Sequence, residues 1–285
     1  MSRGKKRHKH GSAELVLSSE ALALTFPDKS GHPVPKGAGW EEIDKTADIQ
    51  NISAQPRFAT FKIDPMFAIN HAATALLVKR KFPSASIIWV LLSVQLMEFL
   101  WVAFNYLGWE KTTTEPVVKS VSDIHLAYIP YSHSIASGLG LGLVAWLLIG
   151  KVFRKPVLGL AVGAGIVSHL ILDLITHAPD IAIAPGIAEP KFGLGLYSAA
   201  PLLAFFLEII YGVFCWWIYR GGKTLLVVIV AFNLGNLSLL SAAVPGPEGL
   251  LAGHPIAVVT VIAVQIVVTL GFVGIFSRRM SPAKV

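Results

Sequence analysis

The chain has 285 residues, 54% of them hydrophobic and 14% charged, with a net charge of +7. Its apolar residues come in blocks too long for the amphipathic helices of a water-soluble domain, which excludes an ordinary soluble enzyme and predicts a polytopic membrane protein. Cys215 is the only cysteine, so neither an intrachain disulfide nor a thiolate metal cage is available.

Residues 1–62 mix charges with Gly and Pro and read as a polar N-terminal arm without an assignable fold. Arg3, Lys5, Lys6, Arg7 and Lys9 stand in the first ten residues without an acid. A solvated arm near anionic lipid is the economical reading, with a docking role toward a protein partner as another; no specific nucleic-acid partner is expected. Glu14, Glu20 and Asp28 interrupt the apolar stretches that a cleavable signal would need.

The membrane domain is expected over residues 63–280. A short apolar stretch, 65–78, is stopped by Lys79-Arg80-Lys81. At about 1.5 Å per residue it is some 21 Å long and predicts a re-entrant or interfacial helix. Longer blocks follow at 86–109, 132–153, 156–177, 196–219, 224–244 and 255–276, each near the ~20 residues that cross a hydrocarbon core. The expected fold is therefore all-α: a bundle of about six spanning helices plus the short one. Alternate loops carry Lys79-Arg80-Lys81, Lys151/Arg154/Lys155, Arg220/Lys223 and Arg278/Arg279/Lys284, with no acid among them. The opposite loops hold Glu110, Glu115, Asp123, Asp180, Glu189 and Glu248. By the positive-inside rule the basic side and the C-terminus are cytoplasmic, in a multi-pass protein of the inner (plasma) membrane.

The third long block contains Ser168-His169 through Asp173 to His177-Ala178-Pro179-Asp180. On a continuous helix Asp173, His177 and Asp180 fall within about 80° of His169, on one face. Charged side chains at mid-bilayer cost roughly 2.5–3.5 kcal/mol on insertion scales and usually line an interior site. Glu98 lies mid-block in the first long helix, His133 opens the next, and His71 sits about 12 Å from the basic end of the short helix. A polar pocket open to the outer face is the expected result, with His71, His133, His169 and Asp173 as metal ligands and Glu98, His177 and Asp180 as base or secondary ligands. Imidazole with carboxylate suits a divalent metal such as zinc, iron, nickel or manganese, zinc being the type case, and the open position of such a site generates hydroxide for hydrolysis. Asn70, Gln95 and Asn105 are candidates for supporting hydrogen bonds, and Glu208 is a further intramembrane carboxylate.

Any one of these histidines taken alone reads as a packing contact between helices. Several ionisable groups at one depth read as a site for a ligand, an ion or water. Gly138-Leu139-Gly140-Leu141-Gly142 follows no strand and predicts close helix packing rather than a nucleotide loop. Trp109 and Trp216-Trp217 fit interfacial anchors.

Asn70-His71, Tyr131-Ser132-His133-Ser134, Ser168 through Asp180, and Gly193-Leu194-Gly195-Leu196-Tyr197 before the helix carrying Glu208 together resemble the membrane-bound metal-dependent hydrolases of bacterial inner membranes. The likeness covers about residues 64–219. It implies a metal-dependent hydrolase acting on an ester, phosphoester or amide of a lipid or envelope-associated molecule. Many relatives carry an Asp-rich motif near the end of the first long helix and a histidine five residues before the His-Ser pair; here Gln95 and Glu98 stand in that region and Tyr128 at that position. Two other classes remain open: a proton- or cation-coupled transporter using Glu98, His169, Asp173 and Glu208, or a non-catalytic subunit of a membrane complex.

Overall fold

The structure, a computed structural model, describes residues 67–277 apart from 188, 242 and 245. The polar arm and the basic C-terminal residues Arg278, Arg279 and Lys284 lie outside the described residues. The described chain is mostly helical. In order it runs α1 (Ala68–Lys81), α2 (Ile87–Ser93), α3 (Leu96–Tyr106), β1 (Lys111–Thr114), β2 (Ile124–Tyr128), α4 (Ile135–Leu147), α5 (Pro156–Thr176), β3 (Ile181–Ala182), β4 (Lys191–Phe192), α6 (Leu196–Ala199), α7 (Pro201–Tyr219), α8 (Lys223–Gly235), α9 (Leu237–Leu240) and α10 (Pro255–Ser277). Each strand pair is a small antiparallel hairpin between helices.

Among the described residues four helices are long and apolar enough to cross a membrane: α4 with its π-helical extension to Val152, α5, α7 and α10. The block at 86–109, expected as one helix, is α2 and α3 bent by 52° at a short break; counted as one span, the pair brings the candidates to five. The block at 224–244 yields the 13-residue α8 and the short α9.

The short first helix does not lie along the surface. It packs against α2, α5, α7, α8 and α10, and Ile69, Ala72, Ala73, Ala75 and Leu76 are fully buried. Its alanines explain this: a helix with small side chains on every face can be approached from all sides, and one enclosed all round belongs in the interior. Glycine does similar work between α4 and α5. A Cβ at Gly163 would meet the Gly142 carbonyl oxygen at 2.9 Å, and one at Gly138 would meet Leu170 at 2.9 Å, whereas Gly140 faces open space. The Gly138–Gly142 run is a packing seam, as its sequence predicts.

At the C-terminal end of α5, Pro179 forces the preceding residue out of the helical region, and His177 is already extended with ψ 144°. The chain then turns back. Leu194 and Gly195 donate backbone hydrogen bonds to the Leu174 and His177 carbonyls, which covers the helix end. Gly193, with φ +147°, lies so close that a Cβ there would be 2.2 Å from the Ala178 carbonyl oxygen. Only glycine fits that position.

Candidate metal centre

Four imidazoles and two carboxylates from α1, α3, α5 and the segment before α4 meet in the interior. His71, His133, His169, Asp173 and His177 are each at most 1% exposed, and Glu98 is buried too. Asp173 is the hub. Its Oδ1 lies 3.3 Å from His71 Nε2 and 3.9 Å from His177 Nε2, and its Oδ2 lies 3.0 Å from His169 Nε2 and 3.7 Å from His133 Nε2. Glu98 Oε1 stands 3.6 Å from His133 Nε2 and 4.0 Å from His169 Nε2. The side chains expected as ligands, His71, His133, His169 and Asp173, thus gather around a common centre.

Three of the four rings are held by their other nitrogen. His169 Nδ1 donates to the Val94 carbonyl at 2.7 Å. Val94 sits at the break between α2 and α3, where a carbonyl is left over from the helical ladder. His133 Nδ1 donates to Ser132 Oγ at 2.7 Å, and Ser132 Oγ in turn donates to Glu110 Oε2 at 2.6 Å. His177 Nδ1 donates to Asp180 Oδ1 at 3.2 Å. With Nδ1 as the donor, Nε2 of each neutral ring keeps its lone pair and turns it toward Asp173.

Those lone pairs have no hydrogen-bond partner. His71, His133, His169 and His177 Nε2 and both Asp173 oxygens are buried without one. Orphaned groups at this depth are costly, and six around one point fit a cation. His71, His169 and Asp173 form one set whose ligand atoms lie within 4.8 Å of one another, and Glu98, His133 and His169 form a second. Nitrogen and carboxylate donors without sulfur suit zinc or another first-row divalent ion.

Several expected placements differ. Asp180 is not on the helical face, because α5 ends before it, and it reaches the centre only through His177. Asn70 turns away and donates to the Glu208 carboxylate and to Asn233 Oδ1 at 2.9 Å. Tyr197 also donates to Glu208, so this carboxylate belongs to a separate cluster between α1, α7 and α8. Gln95 Nε2 donates to the Ala68 carbonyl and Asn105 Nδ2 to the carbonyl of Trp101 in its own helix. Tyr128 is exposed on β2. The ring supports come instead from Val94, Ser132 and Glu110.

Glu110 lies outside the spans and is buried to 3% exposure. It accepts from the backbone N–H groups of Tyr131 and Ser132 at 2.8 and 2.7 Å. Burial pushes its carboxyl above the usual range, while these bonds and the Ser132 hydroxyl pull it down. Ser134 bridges Ala182, and Ala136 N–H donates to the Ile183 carbonyl, joining the segment that carries His133 to the turn after His177. A cavity of about 560 Å³ borders the centre on another side, with His71 and Glu98 in its wall.

No protein-family profile, curated protein or solved structure matches this chain.

Proposed function

We propose that this chain is an integral membrane hydrolase whose intramembrane His/carboxylate centre takes a divalent metal, with zinc as the best-suited ion. The observation that carries the reading is the set of four buried Nε2 atoms converging on Asp173, three of them freed as acceptors because their Nδ1 is already committed. His71, His133, His169 and Asp173 would hold the ion, with His177 as a secondary ligand oriented by Asp180. Such an ion acts as a Lewis acid and lowers the pKa of water to about 7, which supplies hydrolytic chemistry at neutral pH.

Glu98 is the residue assigned as general base. It lies at the edge of the ligand set and also lines the adjoining cavity, so it stands between the place where a substrate would lie and the place where water would be activated. The substrate class is an ester, phosphoester or amide of a lipid or envelope-associated molecule, in line with the resemblance carried by residues 64–219. The setting is the bacterial inner membrane, with the basic ends of the spans and the C-terminus cytoplasmic. The bent pair α2–α3 and the α8–α9 pair count as crossings in a six-span topology, and the basic arm is a solvated segment near anionic lipid.

Hydrolysis is favoured over a transmembrane proton or cation relay by the interior on the basic side of the centre. Along α1, α2 and α5 no ionisable residue lies on that side of the centre, over 72–78, 87–93 and 156–168; on α7 Tyr211 pairs with Thr74 and Tyr219 with the Ser277 carbonyl rather than with the centre. Ala72, Ala75, Leu76, Val90 and Ala161 are packed there at zero exposure. A relay needs polar groups leading to both faces.

The test is turnover of lipid ester and amide probes by purified protein reconstituted with zinc. The expected result is hydrolysis that falls at least about 10²-fold in Glu98→Gln, in the range of general-base catalysis, and disappears in a folded His169→Ala variant. Turnover unchanged in both variants overturns the assignment.

A further inference from the structure

We infer that the cavity between α3, α9 and α10 is the binding site for one acyl chain of a membrane phospholipid, entered sideways from the bilayer, with the carbonyl linkage of that chain lying against Trp101 and Glu98. The reaction this implies rests on the hydrolase reading above; the binding site does not.

The volume, about 560 Å³, lies inside the roughly 300–1,000 Å³ range of small-molecule sites. Part of its wall is exposed: Val261, Val264 and Val268 of α10 and Leu250 are 49%, 57%, 40% and 81% exposed. Because α10 is long and apolar enough to span, its exposed valines face hydrocarbon in a bilayer, and the cavity is continuous with the lipid-facing surface. His71 and Glu98 in the same wall are buried. A ligand that reaches from acyl tails to the centre is itself a lipid chain.

The polar atoms of the wall sort into two kinds. Asn236 and Gln265 satisfy each other through a 2.7 Å hydrogen bond, and Ser238 donates to Glu248. These leave the middle of the cavity effectively apolar. Near Glu98, by contrast, Trp101 Nε1 and Gln95 Oε1 are buried with no partner. One is a donor and one an acceptor, and Gln95 is held in that orientation by its other atom on the Ala68 carbonyl. An ester carbonyl oxygen of the lipid can accept from the indole N–H.

Gly235 supplies the test. It lines the cavity, and a Cβ there meets nothing within 4 Å, so a side chain starts from this position without a clash and Gly235→Phe is chosen to fill the space. Full-length protein is reconstituted in vesicles doped with a phosphatidylcholine carrying a diazirine at mid-chain, irradiated, and the adducts mapped by mass spectrometry, with zinc content measured on the same samples. Expected are adducts on Trp101, Leu239 and Ile262 that drop about tenfold in Gly235→Phe while zinc content stays at the wild-type level. If Gly235→Phe does not fold, Ile262→Trp narrows the same space and is expected to do the same. Adducts confined to outward residues such as Phe206 and Leu207, or cavity adducts unchanged in both variants, overturn the site. A diazirine fatty acid that labels the cavity where the phospholipid does not overturns the choice of a membrane phospholipid. Zinc bound without cavity labelling sinks the chain site alone, whereas cavity labelling without zinc sinks the hydrolase reading and leaves the site standing.

Discussion

His133 owes its free lone pair to atoms outside the centre. Its Nδ1 is held by Ser132, and Ser132 by Glu110, so the ring cannot rotate or change tautomer without breaking two buried hydrogen bonds. Outer-sphere partners of this kind are worth about 10–100-fold in metal affinity. Ser132→Ala and Glu110→Gln are therefore each expected to weaken zinc binding by about that factor without unfolding the protein, measured by competition with a chromophoric chelator. The meeting of these side chains was legible in the sequence, because His169, Asp173 and His177 repeat at the spacing of one helix face and His71 and His133 occupy matching depths. Their supports were not legible. Glu110 acts across 22 positions of chain and from a loop, and the Val94 carbonyl is a backbone group that no residue type announces. Asp180 was misplaced on the helical face, although Pro179 already signals that the helix stops short of it.

The break between α2 and α3 matters more to the site than the length of either helix. It frees the Val94 carbonyl for His169 and places Glu98 in the first turn of α3, where the helix dipole favours a carboxylate. The stretch Ser93-Val94-Gln95-Leu96 contains neither Gly nor Pro, so hydropathy alone reads one uninterrupted block from 86 to 109. The α4–α5 seam was easier to anticipate, since glycines inside an apolar helix invite close approach. Gly163→Leu forces a side chain against the Gly142 carbonyl and is expected to cost about 1–3 kcal/mol, as overpacking usually does. Gly140→Ala, pointing into open space, is expected to leave the detergent thermal midpoint within about a degree of wild type or above it, since alanine favours helix. Equal losses in the two variants would deny the seam its role.

Across the whole molecule, the short helix α1 organises two polar clusters on different faces. His71 turns toward Asp173, and the adjacent Asn70 turns toward Glu208 and Asn233. Composition pointed to the apolar helices that the structure shows. The count of crossings and the burial of α1 depend on long-range packing that no local pattern encodes. Glu208→Gln keeps an acceptor for Asn70 and Tyr197 and lies outside the ligand set, so its metal content should equal that of wild type; Asp173→Ala removes the hub on which four imidazoles converge. Elemental analysis of full-length protein, purified without chelator or affinity histidines and dialysed against zinc, compares the three forms directly. At least one tightly held divalent ion per chain in wild type and Glu208→Gln, with none in Asp173→Ala, is the predicted result. Wild-type protein that retains no metal, or an Asp173→Ala variant that retains as much as wild type, would contradict the account.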